Sequence, residues 1–154
     1  MVSSMKFISK LFFVSLFLGL SCQYSWANDG DKILGLWKNG EGTGIVQIYK
    51  KGDKYFGKIV WMKVPNNPDG TPRTDANNPD ESLRKKPLKG SEILRGFEYA
   101  SKNVWEKGQI YEPKTGNDYS CEMKLVNENT LEVRGYIGVS LFGKTDVWKR
   151  QITK

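Results

Sequence analysis

The chain has 154 residues, with 24 basic and 17 acidic side chains and no histidine. That length suits one domain built on a single core. The missing histidine removes Ser-His-Asp and Cys-His activation and the commonest transition-metal ligand, and the net charge of +7 is interspersed with acids rather than gathered into the stripe of a nucleic-acid reader.

The N-terminus reads as a targeting segment. Lys6 and Lys10 bracket the start, and Leu11–Leu20 is an apolar run too short to span a bilayer. Ser25-Trp26-Ala27 puts small residues where a signal peptidase reads, so cleavage is expected after Ala27, with 28–154 as one exported, periplasmic or secreted domain. Lipid anchoring through Cys22 is the competing reading. Gly19 and Leu20 stand where a lipobox wants Leu and a small residue, so soluble export is preferred. Cleavage there leaves Cys121 alone, without an internal disulfide, and a lone Cys of this kind is expected to be a buried small hydrophobe. No other apolar run is long enough for a transmembrane segment.

Period-two alternation dominates the rest. Strands are expected at Ile33–Lys38, Gly44–Lys50, Lys54–Met62, Ile93–Tyr99, Val104–Tyr111, Tyr119–Leu125, Leu131–Ile137 and Thr145–Ile152. Cys121, Met123 and Leu125 share one face of their strand; Leu131, Val133 and Ile137 share one face of the next. Ile93, Leu94 and Phe97 also suit a short helix. In the strand from Lys54, either the Tyr55-Gly57-Ile59-Trp61 set or the Phe56-Lys58-Val60-Met62 set can face inward. Between the third and fourth strands lies Lys63–Glu92, which holds five of the six prolines and two copies of Asn-Asn-Pro-Asp. So long a loop in a compact domain is usually a lid, a binding loop or a linker.

Eight strands in meander order predict an all-β, up-and-down antiparallel barrel; a two-sheet sandwich is the alternative. In the barrel, Asn39–Thr43, Lys63–Glu92, Glu112–Asn117 and Gly138–Gly143 share one end. The tight links Lys51–Asp53, Ala100–Lys102 and Asn127–Asn129 share the other. This describes a cup with an open mouth, covered by the long loop, and a closed base. Gly35, Trp37 and Arg150 fall at the base, where a guanidinium stacked on an indole would plug the barrel. These residues resemble the Gly-x-Trp and C-terminal Arg signature of lipocalins.

Lys58-Ile-Val-Trp61, Thr74–Asp80, Leu83-Arg84, Pro87-Leu-Lys-Gly90, Ile93–Phe97, Trp105–Tyr111 and Val133–Gly138 together resemble the bacterial domain-of-unknown-function family 2147. That resemblance implies a lipocalin-like barrel exported in Gram-negative bacteria, and it implies no particular ligand.

The candidate binding residues are Tyr49, Trp61, Trp105 and Tyr111 as barrel-lining aromatics, with Arg73 and Arg84 as anion partners from the long loop. Leu83 and Pro87 would pack on the rim with Arg84 turned inward. The rings would either line a cavity or fill the interior. Asp75, Asn77, Asp80 and Glu81 offer oxygen ligands, but Pro79 and Asp80 break calcium-loop spacing, so turn formation is preferred and no metal or cofactor is expected. The leading function is binding of a small amphipathic or anionic molecule. The alternative is an envelope protein-interaction module built on the long loop. A hydrolase, with Asp75 or Asp80 opposite Glu92 or Glu112, is less favoured.

Overall fold

The computed structural model describes residues 29–152. The expected leader, its cleavage site and Cys22 lie outside the described residues. Eight antiparallel strands close into a barrel in chain order: β1 (Gly35–Lys38), β2 (Gly44–Lys51), β3 (Lys54–Met62), β4 (Glu92–Ser101), β5 (Val104–Glu112), β6 (Asn117–Asn127), β7 (Thr130–Tyr136) and β8 (Lys144–Gln151). β8 returns to β1 by pairing Trp37 with Arg150 and Lys38 with Lys149, so the sheet has no open edge and the sandwich is set aside. Among the described residues no helix is long and apolar enough to cross a membrane.

β4 is a strand whose apolar residues sit at helix-like spacing. Tyr55 and Gly57 of β3 face Phe97 and Leu94, and Lys58 faces Glu92, so β4 carries extra residues at two bulges. Each bulge shifts the alternation, which brings Ile93, Leu94 and Phe97 all inward. A further bulge settles the parity of β3. Val46 faces Ile59 while Ile45 faces Trp61, leaving Val60 as the extra residue. Tyr55, Gly57 and Ile59 therefore point inward, but beyond the bulge Met62 faces the interior and Trp61 faces out. On β6 and β7 the alternation holds: Cys121, Met123, Leu125, Leu131 and Val133 are buried. Ile137 does not follow it. β7 ends at Tyr136, the chain turns at Gly138 (φ 73°), and Ile137 is left 75% exposed.

The base is filled. The 3-10 turn Asp29–Ile33 lays Ile33 under the barrel, and Trp37 donates its indole N–H to the Ile33 carbonyl at 2.8 Å. Arg150 lies 4.2 Å over the Trp37 ring and donates to the carbonyls of Glu128, Leu34 and Lys32 at 2.5, 2.8 and 2.6 Å. Gly35 makes room for it: its φ of 130° disfavours any side chain, and a Cβ would stand 2.9 Å from the guanidinium. Above the plug, Trp105 packs edge-on to Tyr55 and against Tyr99. Phe97 fills the space left by Gly108, where a Cβ would overlap its ring. Cys121 is fully buried, and burial pushes its thiol up to about 12, so it packs as a hydrophobe.

The four longer links gather at the opposite end. The longest of them has no core of its own. Side-chain-to-backbone turns shape it, with Asp69 accepting from Thr71 N–H and Asp80 from Ser82 N–H, each at 2.9 Å. Short bridges pair Asn66 with Pro72 and Thr74 with Pro87.

Candidate functional site

A hollow of about 320 Å³ opens at the mouth. Val46, Ile59, Met62 and Ile93 from β2, β3 and β4 line it on one side, Trp148 comes from β8 across the barrel, and Leu88 is added by the long loop. Its polar lining is Asn39, Thr43, Lys63, Arg73 and Lys114, with no carboxylate. The interior thus combines both expected states: packed solid from the base upward, hollow at the mouth. A concave, mostly apolar space with few polar groups has the usual composition of a small-molecule site.

Two of the three cations are unengaged. Lys114 pairs with Glu41 at 3.4 Å. The side chains of Lys63 and Arg73 have no hydrogen-bond or ion-pair partner among the described residues. Arg73 is nevertheless well placed, because its backbone N–H donates to Pro65 and its carbonyl accepts from Leu88, both at 2.9 Å. That second bond keeps the cation and the apolar Leu88 side by side at the rim.

Asp75 anchors the long loop. It is 5% exposed, accepts from Tyr111 O–H and from the Asn78 amide at 2.7 Å each, and so ties the loop to β5. Burial, and then the hydrogen bond to Asp75, push the Tyr111 hydroxyl up to about 12. Asn77 adds a second tie, donating to the carbonyls of Pro113 and Lys114 at 3.2 and 2.9 Å. Of the oxygen ligands considered for calcium, those of Asp75, Asp80 and Glu81 accept from Tyr111, from the Ser82 N–H and from Arg84, while Asn77 spends its amide NH2 on backbone carbonyls.

Of the candidate residues, only Arg73 lines the hollow. Trp61 is turned outward by the β3 bulge, 40% exposed with Lys38 beside its ring. Tyr49 also faces outward, stacked on Phe56 and bonded to Glu92; burial and Glu92 push its hydroxyl up to about 12. Trp105 is sealed in the lower core, and Tyr111 is spent on Asp75. Arg84 folds back onto its own loop, donating to the Asn78 carbonyl at 2.8 Å and pairing with Glu81 at 3.1 Å, so it does not turn inward. Leu88, not Leu83 or Pro87, packs at the hollow. Asp75 and Glu92 serve different tyrosines, and no facing carboxylate pair forms between them. Trp148 and Lys63 were not among the candidates, although alternation along β8 signals Trp148; Met62 belonged to one of the two faces left open for its strand, and only the bulge turns it inward.

A family model described as "Uncharacterized protein conserved in bacteria (DUF2147)" matches residues 35–150. The chain belongs to this family. The DUF2147 match begins at Gly35 and ends at Arg150, the two ends of the base plug. A solved structure titled "Protein HP1028 from the human pathogen Helicobacter pylori belongs to the lipocalin family" is similar with a TM-score of 0.68 at 22% identity, over 77% of this chain and 82% of that one. At that identity the likeness is one of fold: this DUF2147 barrel is lipocalin-like. No curated protein matches the chain in sequence.

Proposed function

We propose that the protein is an exported carrier that binds a small amphipathic anion at the barrel mouth. The observation that carries this reading is the apolar hollow bordered by Arg73 and Lys63, two cations without partners among the described residues, and by no carboxylate. An apolar body would lie against Ile59, Met62 and Trp148, and an acidic head would meet the guanidinium fork of Arg73. The reading is one of binding, not catalysis. The lining offers no carboxylate or tyrosine to serve as acid or base, and Tyr111 is held protonated against Asp75. Export rests on the leader-like residues 1–27.

Titration calorimetry with decanoate and with decanol tests the proposal. The double variant K63Q/R73Q is expected to weaken decanoate binding about tenfold. Decanol binding should stay within about twofold, since its burial does not use the cations. Absence of saturable decanoate binding, or equal losses for acid and alcohol, would sink the proposal.

A further inference from the structure

Exposed apolar side chains are not spread evenly over the barrel. Among the described residues, nine large hydrophobics are exposed. Six of these lie at the mouth end: Trp61 and Val64 beside the long loop, and Ile137, Val139, Leu141 and Phe142 in the β7–β8 link. The link is the sharpest case. Its four apolar side chains are 57–79% exposed, and a 3-10 turn at Ser140–Phe142 projects Leu141 and Phe142 outward.

The link is held in this shape. Arg134 donates to the carbonyls of Ser140 and Leu141 at 2.8 and 3.3 Å and to Thr145 Oγ at 2.8 Å, and Ser140 donates to Glu122 at 2.7 Å. Polar contacts thus fix the backbone while the apolar groups stay in water. Soluble surfaces rarely keep so dense an apolar tip without a partner.

The tip is too small to hold a second protein alone, since a stable interface buries about 800 Å² per partner. Insertion into lipid requires no such area. The two apolar groups, the β3–β4 side with Trp61 and Val64 and the β7–β8 link, stand on opposite sides of the closed strand order. One plane laid across the mouth would touch both. Lys63, Arg73 and Lys144 rise from the same end and have no ion-pair partner among the described residues. An aromatic and aliphatic rim with free cations matches the chemistry of an anionic bilayer surface, where rings settle at the headgroups and lysines meet the lipid charge.

We propose that the mouth end is a membrane-docking face, with Leu141 and Phe142 entering the interfacial layer of an anionic phospholipid bilayer and Lys63, Arg73 and Lys144 meeting its headgroups. Docking shares Lys63 and Arg73 with the proposed ligand site, so it is tested without ligand and at residues 137–144, which that site does not use; where both hold, the hollow opens directly onto the lipid from which an amphiphile would be drawn.

The test uses the full chain with vesicles of phosphatidylcholine alone or mixed with phosphatidylglycerol. Residues 137–144 are followed by hydrogen exchange, which separates this contact from any made by the N-terminal apolar run. Mixed vesicles are expected to slow exchange at 137–144, and neutral vesicles to do so less. L141S/F142S should abolish that protection and leave the melting temperature unchanged, because both side chains are already in water. K144Q should weaken partitioning onto mixed vesicles about fivefold. Unchanged exchange at 137–144 in the presence of mixed vesicles overturns the proposal. So does equal protection by neutral vesicles, or concentration-dependent protection without vesicles, which would assign the tip to a second copy of the chain.

Discussion

At the base, Arg150 lies over Trp37 and gives its hydrogen bonds to three backbone carbonyls. At the mouth, Arg73 borders a hollow shared with Trp148, and its side chain meets no hydrogen-bond or ion-pair partner among the described residues. The two ends pair the same residue types to opposite effect. At the base each of the three guanidinium nitrogens donates to a carbonyl, so the pair closes the barrel. At the mouth the backbone of Arg73 is held while its side chain is left over, which is the condition for binding something else.

The largest expected effect is at the base. Trp37→Ala empties a fully buried site and orphans the Arg150 stack, and it should cost about 3–5 kcal/mol by urea denaturation. Met62→Trp adds bulk at the mouth and should change stability by less than about 1 kcal/mol, because it fills space instead of displacing atoms. It should also block decanoate. If the two substitutions destabilise equally, the mouth is as tightly packed as the base and the contrast fails.

Next in size is the loop anchor. Tyr111→Phe removes a donor from the buried Asp75 and should cost about 1–3 kcal/mol. Burial of the same hydroxyl, and then its bond to Asp75, set a pH dependence. The Tyr111 hydroxyl is raised from 10.0 to about 12 in the folded chain, so the folded state keeps a proton that the unfolded state releases. The stabilisation is complete below pH 10 and is lost as pH rises through about 12. Tyr49 titrates in the same direction and over the same range. Denaturation curves of the wild type should therefore weaken steeply over that interval, and Tyr111→Phe should weaken less steeply. Identical slopes would mean that Tyr111 contributes no linkage.

How far the sequence revealed this contrast differs between the two ends. The base was readable because its signals are local and periodic: Gly35 and Trp37 open the first strand, Arg150 closes the last, and alternation places all three. The strand count and the division of links between two ends followed from the same periodicity. At the mouth, three of the directions that matter are set by events the periodicity does not contain. The bulge at Val60 exchanges Trp61 for Met62. Arg84 is captured by Glu81 and the Asn78 carbonyl, contacts made within an irregular loop. Tyr111 points where aromatic lining was expected, but Asp75 occupies its hydroxyl. Arg73 was legible only as a cation in a loop near the mouth. What distinguishes it from Arg84 is a backbone bond to Leu88, and no composition rule reports that.

The smallest effect on stability belongs to Glu41 and Lys114, and it sharpens the comparison most. Glu41 sits on the β1–β2 link and Lys114 on the β5–β6 link, four strands apart in a closed eight-strand order, so their 3.4 Å contact runs across the mouth. Both side chains are mostly exposed, and such pairs contribute at most about 0.5 kcal/mol. Glu41→Gln should therefore leave denaturation unchanged. Lys114 lines the hollow, so removal of the contact should speed decanoate association and dissociation together, about two- to threefold, at constant affinity. Stopped-flow measurements at low salt would show the difference, and about 1 M salt should erase it by screening the wild-type pair. Equal rates at low salt would reduce the contact to an ordinary surface pair. A faster variant with unchanged stability would mean that an arginine–carbonyl network closes one end of this barrel for good, while a single screened ion pair slows passage through the other.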